Sequence, residues 1–163
     1  MKRILKFVAA ILALVAVFLI FAPQVVLHWS NGAKQVITYN AVVPGEHANE
    51  GVSYCVTYFG VPSGLAGYII LGVGAFIILV VALVPVFRNH GILAAVVTGF
   101  AVIILIIATF FMFFLRKNFM EQVGNGLSSE KVYVGWGAIA AGSLGSLAAA
   151  TGALSVVLDI AED

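Results

Sequence analysis

Apolar residues in this chain fall in four long runs, at 4–22, 65–87, 92–115 and 132–158, and no ionised residue sits near the middle of any of them. At about 1.5 Å of rise per residue, a helix made from each run covers most or all of a hydrocarbon core about 30 Å thick. The pattern predicts an all-α integral membrane protein built as a bundle of four transmembrane helices. It also removes the buried ionisable groups on which pumps and ion-coupled carriers depend. The expected organisation is one membrane domain, 1–163. Its spans are the four runs, its outer loops are 23–64 and 116–131, and its cytoplasmic tail is 159–163.

The first loop has a different period. Residues 24–29 (QVVLHW) and 34–39 (KQVITY) are rich in β-branched and aromatic side chains, and Ser30-Asn31-Gly32-Ala33 lies between them. Asn-Gly favours a two-residue hairpin turn, because both of its central positions need positive φ. The predicted hairpin uses Trp29, Asn31, Gly32 and Lys34. It places Trp29 opposite Lys34, Leu27 opposite Val36, Val25 opposite Thr38, His28 opposite Gln35 and Val26 opposite Ile37. A lone hairpin is marginal, so a third strand is expected at 52–59 (VSYCVTYF), after the Pro44-Gly45 turn. Together these make a small extracytoplasmic antiparallel sheet in the first loop. Pro85 should kink or end the second span. The short Arg88-Asn89-His90-Gly91 connection then forces the second and third spans to run antiparallel.

Composition agrees with a membrane protein. The chain is 63% hydrophobic and 9% charged, against about 25% charged in soluble domains, and its mean hydropathy is +1.14. A net charge of +1 gives no basic field for nucleic acid. Lys2, Arg3 and Lys6 precede the first apolar run as they would in a signal peptide. No A-x-A site closes that run, so an uncleaved first helix is expected. Its dense basic flank places both termini in the cytoplasm. Arg116 and Lys117 oppose that orientation, unless they snorkel along the end of the third helix.

Because lipid is as apolar as leucine, helices in a bilayer associate where small residues let backbones approach. The fourth span carries two stripes at i+4 spacing. One is Gly137, Ala141, Gly145, Ala149 and Ala153; the other is Ala138, Gly142, Ser146 and Ala150. The third offers Gly91, Ala95 and Gly99, and the second offers Gly72, Gly74 and Ala75. These predict the packing face. The fourth-helix face is wider than one neighbour requires, which leaves room for a homo-oligomer seam or a membrane-protein partner.

Candidate chemistry is sparse. Cys55 has no second cysteine for an internal disulfide. Glu46, His47 and Glu50, with His28 and Cys55, are suitable zinc or copper ligands, but their spacing matches no dense ligand motif and a solvated loop explains them. Gly135-Trp136-Gly137-Ala138-Ile139-Ala140 fits a loose dinucleotide fingerprint. That fingerprint requires a preceding strand in a βαβ unit, whereas here it opens a span, so helix packing accounts for the glycines. Tyr133 and Trp136 read as interface anchors. The hydroxyls Tyr68, Thr98, Thr109, Ser143, Ser146, Thr151 and Ser155 are expected to bond carbonyls of their own helices. Lys6 and Asp159 lie close enough in depth to pair and read as solvated helix ends. No catalytic set, cofactor or metal site is expected.

The layout of four spans, an inside amino end, a β-rich first outer loop and a shorter second one is similar to the claudin and peripheral-myelin type of tetraspan protein. That family's outer loop carries a Trp, a Gly-Leu-Trp and two cysteines. This chain has Trp29 and Cys55 and lacks the Gly-Leu-Trp and the second cysteine. The resemblance therefore implies a topology and carries no junction or pore role. The functional expectation is a non-enzymatic tetraspan scaffold, accessory subunit or surface-interaction protein with the lipid bilayer around it. The alternative is a channel or uniporter-like carrier for a small neutral solute.

Overall fold

A computed structural model describes residues 1–31, 33–39, 62–117, 120 and 132–161, with the backbone alone at 27–31, 33–39 and 62–64. In chain order the elements are α1 (Lys2–Phe18), a 3₁₀ turn (Leu19–Phe21), β1 (Val25–Asn31), β2 (Ala33–Tyr39), α2 (Pro62–Leu83), α3 (Pro85–Asn89), α4 (Gly91–Phe113), β3 (Val132–Val134) and α5 (Trp136–Ala161). The four long helices α1, α2, α4 and α5 are each long and apolar enough to cross a membrane. They form an up-down-up-down bundle in which α1 packs on α2 and α5, and α4 packs on the same two helices.

One spacing organises all four. Buried positions recur at alternating intervals of three and four: Lys6, Ala9, Ala13 and Ala16 in α1; Tyr68, Leu71, Ala75, Ile78 and Ala82 in α2; Ala94, Thr98, Ala101, Leu105, Ala108 and Met112 in α4; Ala138, Ala141, Gly145, Ala148, Gly152, Ser155 and Asp159 in α5. This is the seam of left-handed bundles with knobs-into-holes packing. It corrects the i+4 stripes. A strict i+4 row drifts about 40° round the helix at every step, so its later members leave the core. Gly137, Ala141, Gly145, Ala149, Ala138 and Gly142 are buried, whereas Ser146, Ala150 and Ala153 face outward. In α4, Gly91 and Ala95 are buried as expected, but a Cβ on Gly99 would meet nothing within 4 Å, so Gly99 is no point of close approach.

Large and small residues are divided between the helices. The bulky buried side chains Tyr68, Leu71, Ile78, Leu105 and Met112 come from α2 and α4, whereas the buried residues of α1 between Ala9 and Ala16 are alanines. Glycines of α5 receive the bulk. A Cβ at Gly145 would lie 3.2 Å from Leu71 Cδ1 and 3.0 Å from Thr109 Oγ1, one at Gly152 would lie 2.8 Å from Val102 Cγ2, and one at Gly142 would lie 2.9 Å from the Phe113 ring. Large apolar residues instead cover the outside, among them Ile11 and Phe18 of α1, Phe76 of α2, Phe100 and Phe110 of α4, and Leu147 and Leu154 of α5.

At Val84 the backbone turns extended (φ −76°, ψ 125°) and Pro85 opens α3, because the proline ring disfavours helical geometry in the residue before it. The kink or early exit expected at Pro85 is therefore a break. The sheet differs from expectation in two ways. Its strand order is β2-β1-β3, so its third described strand comes from Val132–Val134, the start of the expected fourth span, and α5 begins only at Trp136. The predicted strand at 52–59 lies outside the described residues, as does Gly32. The hairpin register is also shifted by one. Asn31 pairs with Ala33, Ser30 with Lys34, Trp29 with Gln35 and His28 with Val36. Asn31 thus belongs to the strand, and the closing pair brackets a single position where a two-residue turn would bracket two.

The packing implies a contrast between two glycines. Gly145→Leu forces bulk against Leu71 and Thr109 and should destabilise the bundle by about 1–3 kcal/mol or more. Gly99→Ala, in open space, should leave stability unchanged or raise it by up to about 1 kcal/mol. Thermal unfolding of both variants in detergent checks the pair, and equal effects would contradict the packing.

Candidate functional site

Polar groups collect at the two ends of the bundle. At the end where α1 begins, Lys6 and Asp159 are only 4% and 1% exposed, and Lys6 Nζ donates to Asp159 Oδ2 at 2.5 Å. Lys2 Nζ stands 3.9 Å from Asp159 Oδ1. The expectation of solvated helix ends is corrected. The alanine face of α1 and the small face of α5 bring the two backbones close, and the pair is enclosed between them. Each charge sits at the unfavourable end of its own helix dipole but beside the favourable end of the other's. Arg3 Nε donates to Ala82 O at 3.0 Å, and its guanidinium lies 5.6 Å from the centre of the Phe7 ring.

The α2–α3 break leaves a cavity of about 130 Å³ beside this pair. Its walls are Lys2, Arg3, Lys6, Arg88 and Asp159, together with apolar residues between Val81 and Phe87. The first turn of α1 has no capping side chain and no acidic residue, so the positive end of its helix dipole adds to the potential at the same end.

At the opposite end the connection from α1 to β1 is locked by Gln24. Its Nε2 donates to Leu19 O and Ala22 O, each at 2.8 Å, and its Oε1 accepts from Tyr68 Oη at 2.9 Å. Gln24 therefore adds a second donor to Leu19 O, which already accepts the Ala22 N–H at 2.9 Å, and supplies one to Ala22 O beyond the end of the 3₁₀ turn. The G-x-G of the loose fingerprint clamps this connection. Gly135 N donates to Gln24 O at 2.7 Å and Gly137 N to Pro23 O at 2.9 Å. A Cβ on Gly135 would collide with Pro23 O, and one on Gly137 would lie 2.6 Å from Ala22 Cβ. These glycines allow backbone approach, and no nucleotide is needed to explain them. Tyr133 and Trp136 are exposed beside them.

The hydroxyls expected to bond their own helices do so at Thr109, Ser143, Ser146 and Thr151, which reach the i−4 carbonyl, and at Ser155, which reaches i−3. Tyr68 bonds Gln24 instead, and the buried Thr98 Oγ1 has no partner among the described residues. A third feature is an outward-facing apolar groove of about 450 Å³ between α4 and α5. It is lined in part by Phe110, Phe113, Ser146, Ala150 and Ala153, the outer half of the small-residue stripes. Glu46, His47, Glu50 and Cys55 lie outside the described residues, which hold no group of three His, Cys, Asp or Glu side chains able to bind a metal. Sequence reasoning missed the enclosure of Lys6 with Asp159 and the role of Gln24. The seam spacing was the available signal for the first, since both residues fall on it.

Comparison of the chain with protein-family models, with curated proteins and with solved structures gave no match.

Two stability outcomes follow from these polar groups. Asp159→Leu alone leaves a buried ammonium unpaired and should cost about 3–5 kcal/mol, whereas Lys6→Met with Asp159→Leu should recover most of that loss. Thr98→Val removes a buried hydroxyl that has no partner among the described residues and keeps its shape, so it should be neutral or stabilising by about 1 kcal/mol. Unfolding measurements in detergent read both, and a double variant as unstable as the single one would contradict the pairing.

Proposed function

We propose that this is an integral membrane protein whose four long helices cross the bilayer, with the end that carries Lys2, Arg3 and Arg88 on the cytoplasmic side. It acts as a non-enzymatic scaffold, accessory subunit or surface-interaction protein of the plasma or cytoplasmic membrane. The observation that carries this reading is the division of side chains: alanine and glycine line much of the interior, and Phe100 and Ile103, 64% and 54% exposed, project outward from the middle of α4. Soluble proteins bury such residues; a bilayer solvates them, and small interior residues supply the packing.

The interior also favours assembly over transport. Leu71, Ile78, Leu105 and Met112 fill the bundle axis and are fully buried, and all but two of the span hydroxyls named above are bonded to their own helices. A uniporter-like path for a neutral solute would need such groups to face a lumen. The surfaces left for contact are the sheet hairpin and the α4/α5 groove, where small residues are turned toward the surroundings.

The membrane assignment predicts that the chain requires detergent for extraction; a monodisperse species in plain buffer would end it. For the contact role, Ala150→Phe fills the groove from an exposed position. It should leave thermal stability unchanged and reduce the size of the species purified in mild detergent. An unchanged assembly would remove the groove from the contact surfaces.

A further inference from the structure

We propose that the cavity at the amino end of α1 binds the phosphate of an anionic phospholipid headgroup. The inference rests on the membrane assignment above and adds a ligand to it. Four cationic side chains, Lys2, Arg3, Lys6 and Arg88, line the cavity against one carboxylate, Asp159. That carboxylate is buried, engaged by Lys6 at 2.5 Å and 3.9 Å from Lys2 Nζ, so the charge it leaves uncompensated at the cavity is that of Arg3 and Arg88. Arg88 extends from α3 with no acidic partner among the described residues. Arg3 is held in place by Ala82 O and the Phe7 ring and keeps further N–H donors of its fork for an oxyanion.

Position selects the ligand. The cavity, about 130 Å³, has room for one phosphate group. It opens where the apolar helices end, and exposed Leu83 and Val84 line it. A free phosphate has no use for that apolar rim, whereas a lipid lays its glycerol and upper acyl chain along it. Basic pockets between helices at the cytoplasmic face of a bilayer bind headgroups in this way. The break at Pro85 lies in its wall: Val84, Pro85, Phe87 and Arg88 all line the cavity.

The test uses the full chain and three probes: phosphatidylcholine vesicles, the same vesicles containing phosphatidylglycerol, and inorganic phosphate. Flotation with plain phosphatidylcholine vesicles first reports membrane insertion by itself. Thermal stabilisation in detergent by added phosphatidylglycerol, phosphatidylcholine or inorganic phosphate then reports the headgroup. The expected result is stabilisation by phosphatidylglycerol well above the other two. Arg88→Gln should weaken its apparent affinity about fivefold, and Arg116→Gln at the other end should leave it unchanged. Flotation without any preference for phosphatidylglycerol overturns the headgroup site and leaves the membrane assignment standing. Failure to float overturns both. Equal stabilisation by inorganic phosphate overturns the lipid as its source, and equal losses in the two arginine variants reduce the effect to nonspecific charge and overturn the site.

Discussion

The smooth face of α5 is the constraint on which the remaining structure depends. Gly145 and Gly152 leave the space into which Leu71, Val102 and Ile78 project, and Ala141, Ala148 and Ala149 are buried on the same helix. α1 answers with alanines of its own. In lipid, where helices have no hydrophobic reason to associate, dispersion between closely approaching backbones would hold such a bundle together. The alternation of three and four keeps this face turned inward along the full length of α5, which a strict i+4 row would not do.

Both polar ends follow from that closeness. Where α1 and α5 approach at the amino end, Lys6 and Asp159 are shut away from solvent and must satisfy one another. At the other end Gly135 and Gly137 let α5 start directly against the backbone of Pro23 and Gln24. That contact places β3 beside β1, with Val25 opposite Val134 and Leu27 opposite Val132. The sheet is therefore an extension of the α1–α5 contact, with the hairpin built outward from it.

The four helices were legible because run length and hydropathy are properties of contiguous residues. Pro85 was legible for the same reason, and so were the hydroxyls that bond within one turn. The third strand was not: Val132–Val134 is three apolar residues adjoining an apolar run, and periodicity cannot separate them. The hairpin register depends on whether Asn31 lies in the turn or in the strand, a single-residue distinction that composition does not make. Most of the small residues named for packing are buried, but Ser146, Ala150 and Ala153 are exposed and Gly72 and Gly99 only partly buried, because spacing alone does not say where a stripe leaves the interface. The enclosure of Lys6 with Asp159, 153 positions apart, needed the helix neighbours to be known.

The central claim is that lipid solvates the outside of these helices while small residues pack the inside. Its most direct test is collision accessibility of spin labels placed one at a time along α4 in bilayers, with Cys55 replaced by serine. At Phe100, Ile103, Ile107 and Phe110 oxygen should reach the label freely and a water-soluble nickel complex should not. At Ala94, Ala101 and Ala108 both should be excluded. A nickel complex that reached Ile103 and Ile107 as readily as oxygen would place water where the account requires lipid, and would contradict it.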